Sequence, residues 1–114
     1  MTTKLDVTEV IAYKVFNEDW TCRGFQFEMG KSYHQTGEII PCNNGFHACE
    51  NLGNCFNYYE FNPNNKVAKV RLYGEIHQEG DKLCASDIEV LEELTWERVL
   101  VLANSGDQNS GNRN

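Results

Sequence analysis

The segment Val10-Ile11-Ala12-Tyr13-Lys14-Val15-Phe16 is apolar at nearly every position. A strand with one face in water alternates between apolar and polar residues. This run does not, so it reads as a central strand covered on both faces. Asn17, Glu18 and Asp19 end it with turn formers. At 114 residues the chain has the length of one domain and enough material for one real core.

Strand-period patterns recur downstream. Phe25, Phe27 and Met29 alternate with Gln26 and Glu28 up to a break at Gly30. Residues 31–34 and 39–42 flank Gln35-Thr36-Gly37-Glu38, a hairpin pattern. Asn43-Asn44-Gly45 signals a tight turn before a short strand over 46–49. In residues 67–76, Ala68, Val70, Leu72 and Ile76 face one way and Lys69, Arg71 and Glu75 the other. Gln78-Glu79-Gly80-Asp81 then turns the chain into a strand over 83–91. Its apolar phase slips between Ala85 and Ile88, which predicts a bulge near Ser86 and Asp87.

Two segments follow the helical period. Leu52, Cys55, Phe56 and Tyr59 share one face of a helix over 50–59. Gly53 keeps it short, at about 1 kcal/mol relative to alanine. Thr95 caps a closing helix with Trp96, Val99, Leu100 and Ala103 on one face. This order predicts a single α+β domain over residues 1–103. Its sheet is mostly antiparallel and free to curl toward a barrel, with one short central helix and one C-terminal helix. Residues 104–114 contain only Asn, Ser, Gly, Asp, Gln and Arg and read as a disordered polar tail.

No apolar run approaches the roughly 20 residues of a membrane span, and residues 1–6 lack a charged-then-apolar signal pattern. The expected location is therefore cytoplasmic. Five cysteines, Cys22, Cys42, Cys49, Cys55 and Cys84, are an odd number that argues against a disulfide framework. The formal net charge of −7 repels bare phosphate backbones, so direct nucleic-acid binding is not expected. It suits a protein partner with a basic surface, and it also serves solubility.

Chemistry concentrates in Thr21 to Phe27 and in Asn44 to Glu50. Arg23 and His47 can meet at one end of the sheet, with Tyr13 or Tyr33 beside them, as a nucleotide-type pocket. His47 and Cys49 are two residues apart, so on a strand they share a face, as a Cys/His dyad requires. Cys49 also precedes the short helix, but no Asp or Asn is clearly placed to orient His47. Cys42, His47, Cys49 and Cys55 offer four zinc-type ligands. There is no Cys-x-x-Cys pair, however, and Cys55 falls on the apolar helix face. Buried small apolar thiols are the favoured reading, with no metal or cofactor expected. The acidic run Asp87, Glu89, Glu92, Glu93 and Glu97, opposed in sequence by Arg98, is a solvated face or a docking surface. Trp20 and Trp96 read as core-edge anchors, although an exposed Trp20 would be a binding hot spot.

Two blocks, Thr21-Cys22-Arg23-Gly24-Phe25-Gln26-Phe27-Glu28 and Gly45-Phe46-His47-Ala48-Cys49-Glu50, carry a resemblance. Together with Lys14-Val15-Phe16-Asn17 and Tyr58-Tyr59, they resemble a domain of unknown function found in phage, prophage and bacterial proteins. The likeness runs over residues 11–102 and implies a phage-linked origin, with no reaction assigned. A strand at Gly45 to Ala48, a helix ending at Tyr58-Tyr59 and a further strand are also similar in order to ADP-ribosyltransferases. That family uses a late catalytic Glu. Here Glu89, Glu92 and Glu93 are candidates by elimination, and no Ser-Thr-Ser-like element is present.

Two functions follow. The first is a small phage-type accessory protein, not an enzyme, that binds and inhibits a host protein such as a defence or nucleic-acid-processing machine. It would dock through Asp87, Glu89, Glu92, Glu93, Glu97 and Trp20. The alternative is an ADP-ribosyltransferase-like enzyme, or a degenerate one, with a nucleotide pocket around Arg23 and His47 and Glu89 as the catalytic acid.

Overall fold

The computed structural model describes residues 2–40 and 44–104. The first elements are β1 (Thr3–Lys4), β2 (Glu9–Phe16), β3 (Thr21–Cys22), β4 (Phe25–Gln26), β5 (Ser32–His34) and β6 (Phe46–Ala48). They are followed by α1 (Leu52–Cys55), β7 (Lys66–Glu79), β8 (Lys82–Glu93) and α2 (Trp96–Asn104).

The long strands β7 and β8 form an antiparallel hairpin through a two-residue turn, Gly80-Asp81. On the far edge of β7 lie β2 and β1, both antiparallel. On the far edge of β8 lie β5 and β6, also antiparallel. Tyr13 and Cys49 then exchange backbone hydrogen bonds of 2.8 and 2.9 Å. That bridge ties the β2 edge to the end of β6, so the sheet is strongly curled into a half-barrel. The mostly antiparallel, curled α+β architecture agrees with the sequence patterns.

The alternation along β2 explains its near-continuous apolar run. Ala12 and Phe16 pack into one core cluster with Phe27, Phe46, Leu72 and Ile88. Tyr13 and Val15 pack into the other, with Leu52, Cys55, Val67 and Val99. Fully burying side chains of this kind contributes about 1.5–3 kcal/mol each. The anticipated bulge is present, but the extra residue is in β7, across from Ser86. Gly74 occupies it at φ +78, and the Glu75 N–H donates to the Ser86 hydroxyl at 3.0 Å.

Several expectations change. The expected partner of residues 31–34 falls partly on residues 41 and 42, which lie outside the described residues; β5 pairs with β8, with His34 opposite Asp87. The loop after β5 is held by side chains: the Asn44 amide donates to the carbonyls of Thr36 and Glu38. The strand expected from Phe25 to Met29 shrinks to β4, which pairs only with β3, and Met29 is exposed. The central helix is one turn, capped by the Asn51 side chain, before the chain leaves it in turns. On α2, Thr95 caps as expected, with the Arg98 N–H donating to its hydroxyl at 3.1 Å. Leu100 is exposed, whereas Leu102 packs inward beside Val99 and Trp96. Asn104 closes α2; residues 105–114, where the rest of the polar tail falls, lie outside the described residues, as does Cys42.

Candidate functional site

Lys14 is the residue that organises the site. It sits in β2 between Tyr13 and Val15, and the period of two sends it to the same side as Ala12 and Phe16. Lys14 is therefore an ammonium inside the curl of the sheet, only 4 % exposed. Its Nζ donates to the His47 carbonyl at 2.7 Å and lies 5.8 Å from the ring centres of Phe16 and Phe27. Among the described residues no carboxylate pairs with it.

His47 occupies the middle of β6, between buried Phe46 and Ala48. Burial lowers its pKa from 6.5 to about 4, helped by the positive charges of Lys14, Lys82 and Arg23. The imidazole is thus neutral at neutral pH, in a patch where several cations converge.

Arg23 reaches that patch from the turn between β3 and β4. Arg23 and Gly24 both have positive φ, +54 and +84, as a two-residue turn between twisted strands requires. The conformation costs a non-glycine residue about 1–2 kcal/mol. Lys82, the first residue of β8, lies over the Tyr58 ring at 5.0 Å. Tyr58 donates its hydroxyl to Asp81, and the Asn57 amide donates to the same carboxylate at 2.8 Å. That hydrogen bond holds the Tyr58 phenol up at about 12. Tyr59 is pushed up as well, chiefly by burial.

These groups surround two cavities. One, of about 270 Å³, has Tyr13, Val15 and Tyr59 as its apolar wall and Lys14, Arg23, His47 and Lys82 as its charged or polar one. The other, of about 230 Å³, combines Lys14, Arg23 and His47 with Phe25, Phe46 and Gln35. Arg23 and His47 line the same two cavities, and Tyr13 lines the first of them. Tyr33 is elsewhere, packed edge-on against Phe25 and Phe27.

The other candidates are dispersed. Glu89 accepts a 3.0 Å ion pair from Arg71, which also binds Glu9 at 3.0 Å, and it lines neither cavity. Asp87 takes hydrogen bonds from Ser86 and from His34. Glu92 and Glu93 lie near Lys69 and Lys66, at 3.9 and 3.8 Å. The acidic run is therefore opposed by three cations of β7, which the linear sequence hides. Glu97 is exposed in the first turn of α2. Trp20 is half-buried with its ring 5.1 Å from Phe16, the position of a core-edge anchor.

Cys49 and Cys55 are buried, and both line the larger cavity. Their thiols are coupled by a hydrogen bond that draws Cys49 below the usual thiol range and pushes Cys55 above it. Among the described residues no three His, Cys, Asp or Glu side chains come together as a metal site.

The sequence reading missed Lys14 and Lys82. The signal for Lys14 was present, as a lone charge inside a strand covered on both faces. Lys82 had no such mark, because only the turn at Gly80-Asp81 carries it to the cavity.

Residues 10–102 match the family described as a domain of unknown function, DUF7666, and the chain belongs to that family. No curated protein and no solved structure matches it. No helix among the described residues is long and apolar enough to cross a membrane.

Proposed function

We propose that the domain binds a small organic anion, of nucleotide type, against Lys14, Arg23, His47 and Lys82. The observation that carries this reading is Lys14 itself, nine-tenths buried, pointed at the cavities and lacking a carboxylate partner among the described residues. Removing an ammonium from water costs several kcal/mol unless an opposite charge accompanies it. A bound anion supplies that charge. The setting sharpens the point, since a chain of net charge −7 collects cations here. Phosphate or carboxylate suits the cations, and the tyrosine walls suit a planar ring.

This reading takes up the nucleotide pocket of the ADP-ribosyltransferase-like alternative without its catalytic glutamate, because Glu89 is held by Arg71. It is a binding function, not a catalytic one. Calorimetric titration with adenosine mono- and diphosphate tests it. Lys14→Met should weaken binding at least tenfold; equal affinity for both proteins ends the proposal.

A second reading is the phage-type accessory factor that docks on and inhibits a host protein with a basic surface. Exposed Glu92, Glu93 and Glu97 favour it. The β7 cations beside two of them reduce the field they can project. A pull-down with Glu92→Lys/Glu93→Lys against the unaltered chain separates the readings. Among the described residues the buried cysteines Cys22, Cys49, Cys55 and Cys84 form no disulfide, which supports a reducing, cytoplasmic setting for either.

A further inference from the structure

The two cavities are not independent: Lys14, Arg23 and His47 belong to the walls of both. These three side chains therefore form a wall common to two lobes, the waist of the proposed site, while Lys82 lines the first lobe alone. We infer that the ligand's negative charge is internal: a phosphodiester or pyrophosphate link sits at the waist, and a ring-bearing group enters each lobe. This rests on the anion-binding reading above and adds the shape of the ligand.

Three observations support it. A terminal phosphate on those cations would place its nucleoside in one lobe and leave the other without an occupant. Each lobe alone, about 270 and 230 Å³, falls below the roughly 300 Å³ at which ligand sites begin, whereas the two together enter that range. Both lobes also carry ring-accepting walls, Tyr13 and Tyr59 in one, Phe25 and Phe46 in the other. The lobes differ in polarity. In the second, Gln35 accepts the Gly45 N–H through Oε1 at 2.6 Å. Its NH2 makes no hydrogen bond among the described residues, leaving a donor for a heteroatom of the ligand's ring.

The test is isothermal titration of the full chain with two-ended and one-ended compounds. Adenylyl-adenosine carries a phosphodiester link and diadenosine diphosphate a pyrophosphate link; AMP and ADP carry the same ring with a terminal anion. At least one two-ended compound should bind ten times more tightly than either one-ended compound, and which one does so identifies the link. Tyr58→Ala and Gln35→Ala each alter one lobe at a half-buried or exposed position, and the NMR dispersion of each variant checks its fold. Both should weaken the two-ended compound at least fivefold. If AMP or ADP binds as tightly as the two-ended compounds, the internal-link inference fails while the pocket reading stands. If all four fail to bind, both fall.

Discussion

The ammonium of Lys14 donates to the backbone carbonyl of His47 at 2.7 Å, across the gap between two strands that share no regular ladder. One hydrogen bond satisfies one of three N–H donors and leaves the charge uncompensated. A buried charge of this kind is a liability to the fold, which the rings of Phe16 and Phe27 relieve in part and which the proposed anion would offset. Lys14→Met should therefore leave the unliganded protein as stable as before, or more stable by about 1 kcal/mol or more. A thermal melt without ligand measures this. A collapse of the melting temperature would mean that Lys14 braces β2 to β6 and has no need of an anion.

His47 sets a pH dependence whose sign follows from its burial. In the folded protein its pKa lies at about 4, below the ordinary 6.5, so the unfolded chain binds the proton more readily. The stability that His47 contributes is present above pH 6.5 and is lost as pH falls toward 4. His47→Gln should flatten the slope of stability against pH in that window, read from urea midpoints at several pH values. Anion binding beside the ring favours imidazolium, so the His47 titration midpoint, followed by NMR, should rise with saturating ligand. An unmoved midpoint would place the anion away from His47.

Gly74 makes the register shift between β7 and β8 possible. Its φ of +78 is unfavourable for other residues, and an added methyl group would meet the Ser86 hydroxyl and the Asp87 carboxylate. Gly74→Ala should cost about 1–3 kcal/mol, visible as a lower urea midpoint with an unchanged m-value. Gly74, Glu75 and Ser86 line neither cavity, so ligand affinity should stay within twofold.

The strands were legible where burial was uniform or strictly alternating. Ala12 to Phe16 and Ala68 to Leu72 carry their faces in their residue types, and the covering of β2 on both sides followed from its lack of alternation. The turn at Gly80-Asp81 and the cap at Thr95 were legible from local chemistry. What failed was pairing at a distance. Nothing near Tyr33 says that its partner is Ile88 rather than the segment after Gly37. The site followed the same rule. Arg23 and His47 stood out because their blocks are dense in chemistry. Lys14 was absorbed into an apolar run whose average hid it. The run from Asp87 to Glu97 read as strongly acidic because Lys66, Lys69 and Arg71 are more than fifteen residues away along the chain, yet next to it across the ladder.

That ladder yields a prediction about the acidic face. Arg71 lies between Glu9 and Glu89, with the two carboxylates raising its pKa, Glu89 most. The pairs are partly solvated and screened, so Glu89→Gln should lower the urea midpoint only slightly. Catalysis by Glu89 would require it in a cavity; here Glu89→Gln should leave nucleotide affinity within twofold of the unaltered chain. Glu92→Lys/Glu93→Lys should behave likewise toward small anions, since these acids line neither cavity and solvent-screened charges act weakly across the sheet. Calorimetry on the three proteins with one nucleotide decides the matter. A tenfold loss with Glu89→Gln alone would bring Glu89 back into the site and with it a catalytic reading.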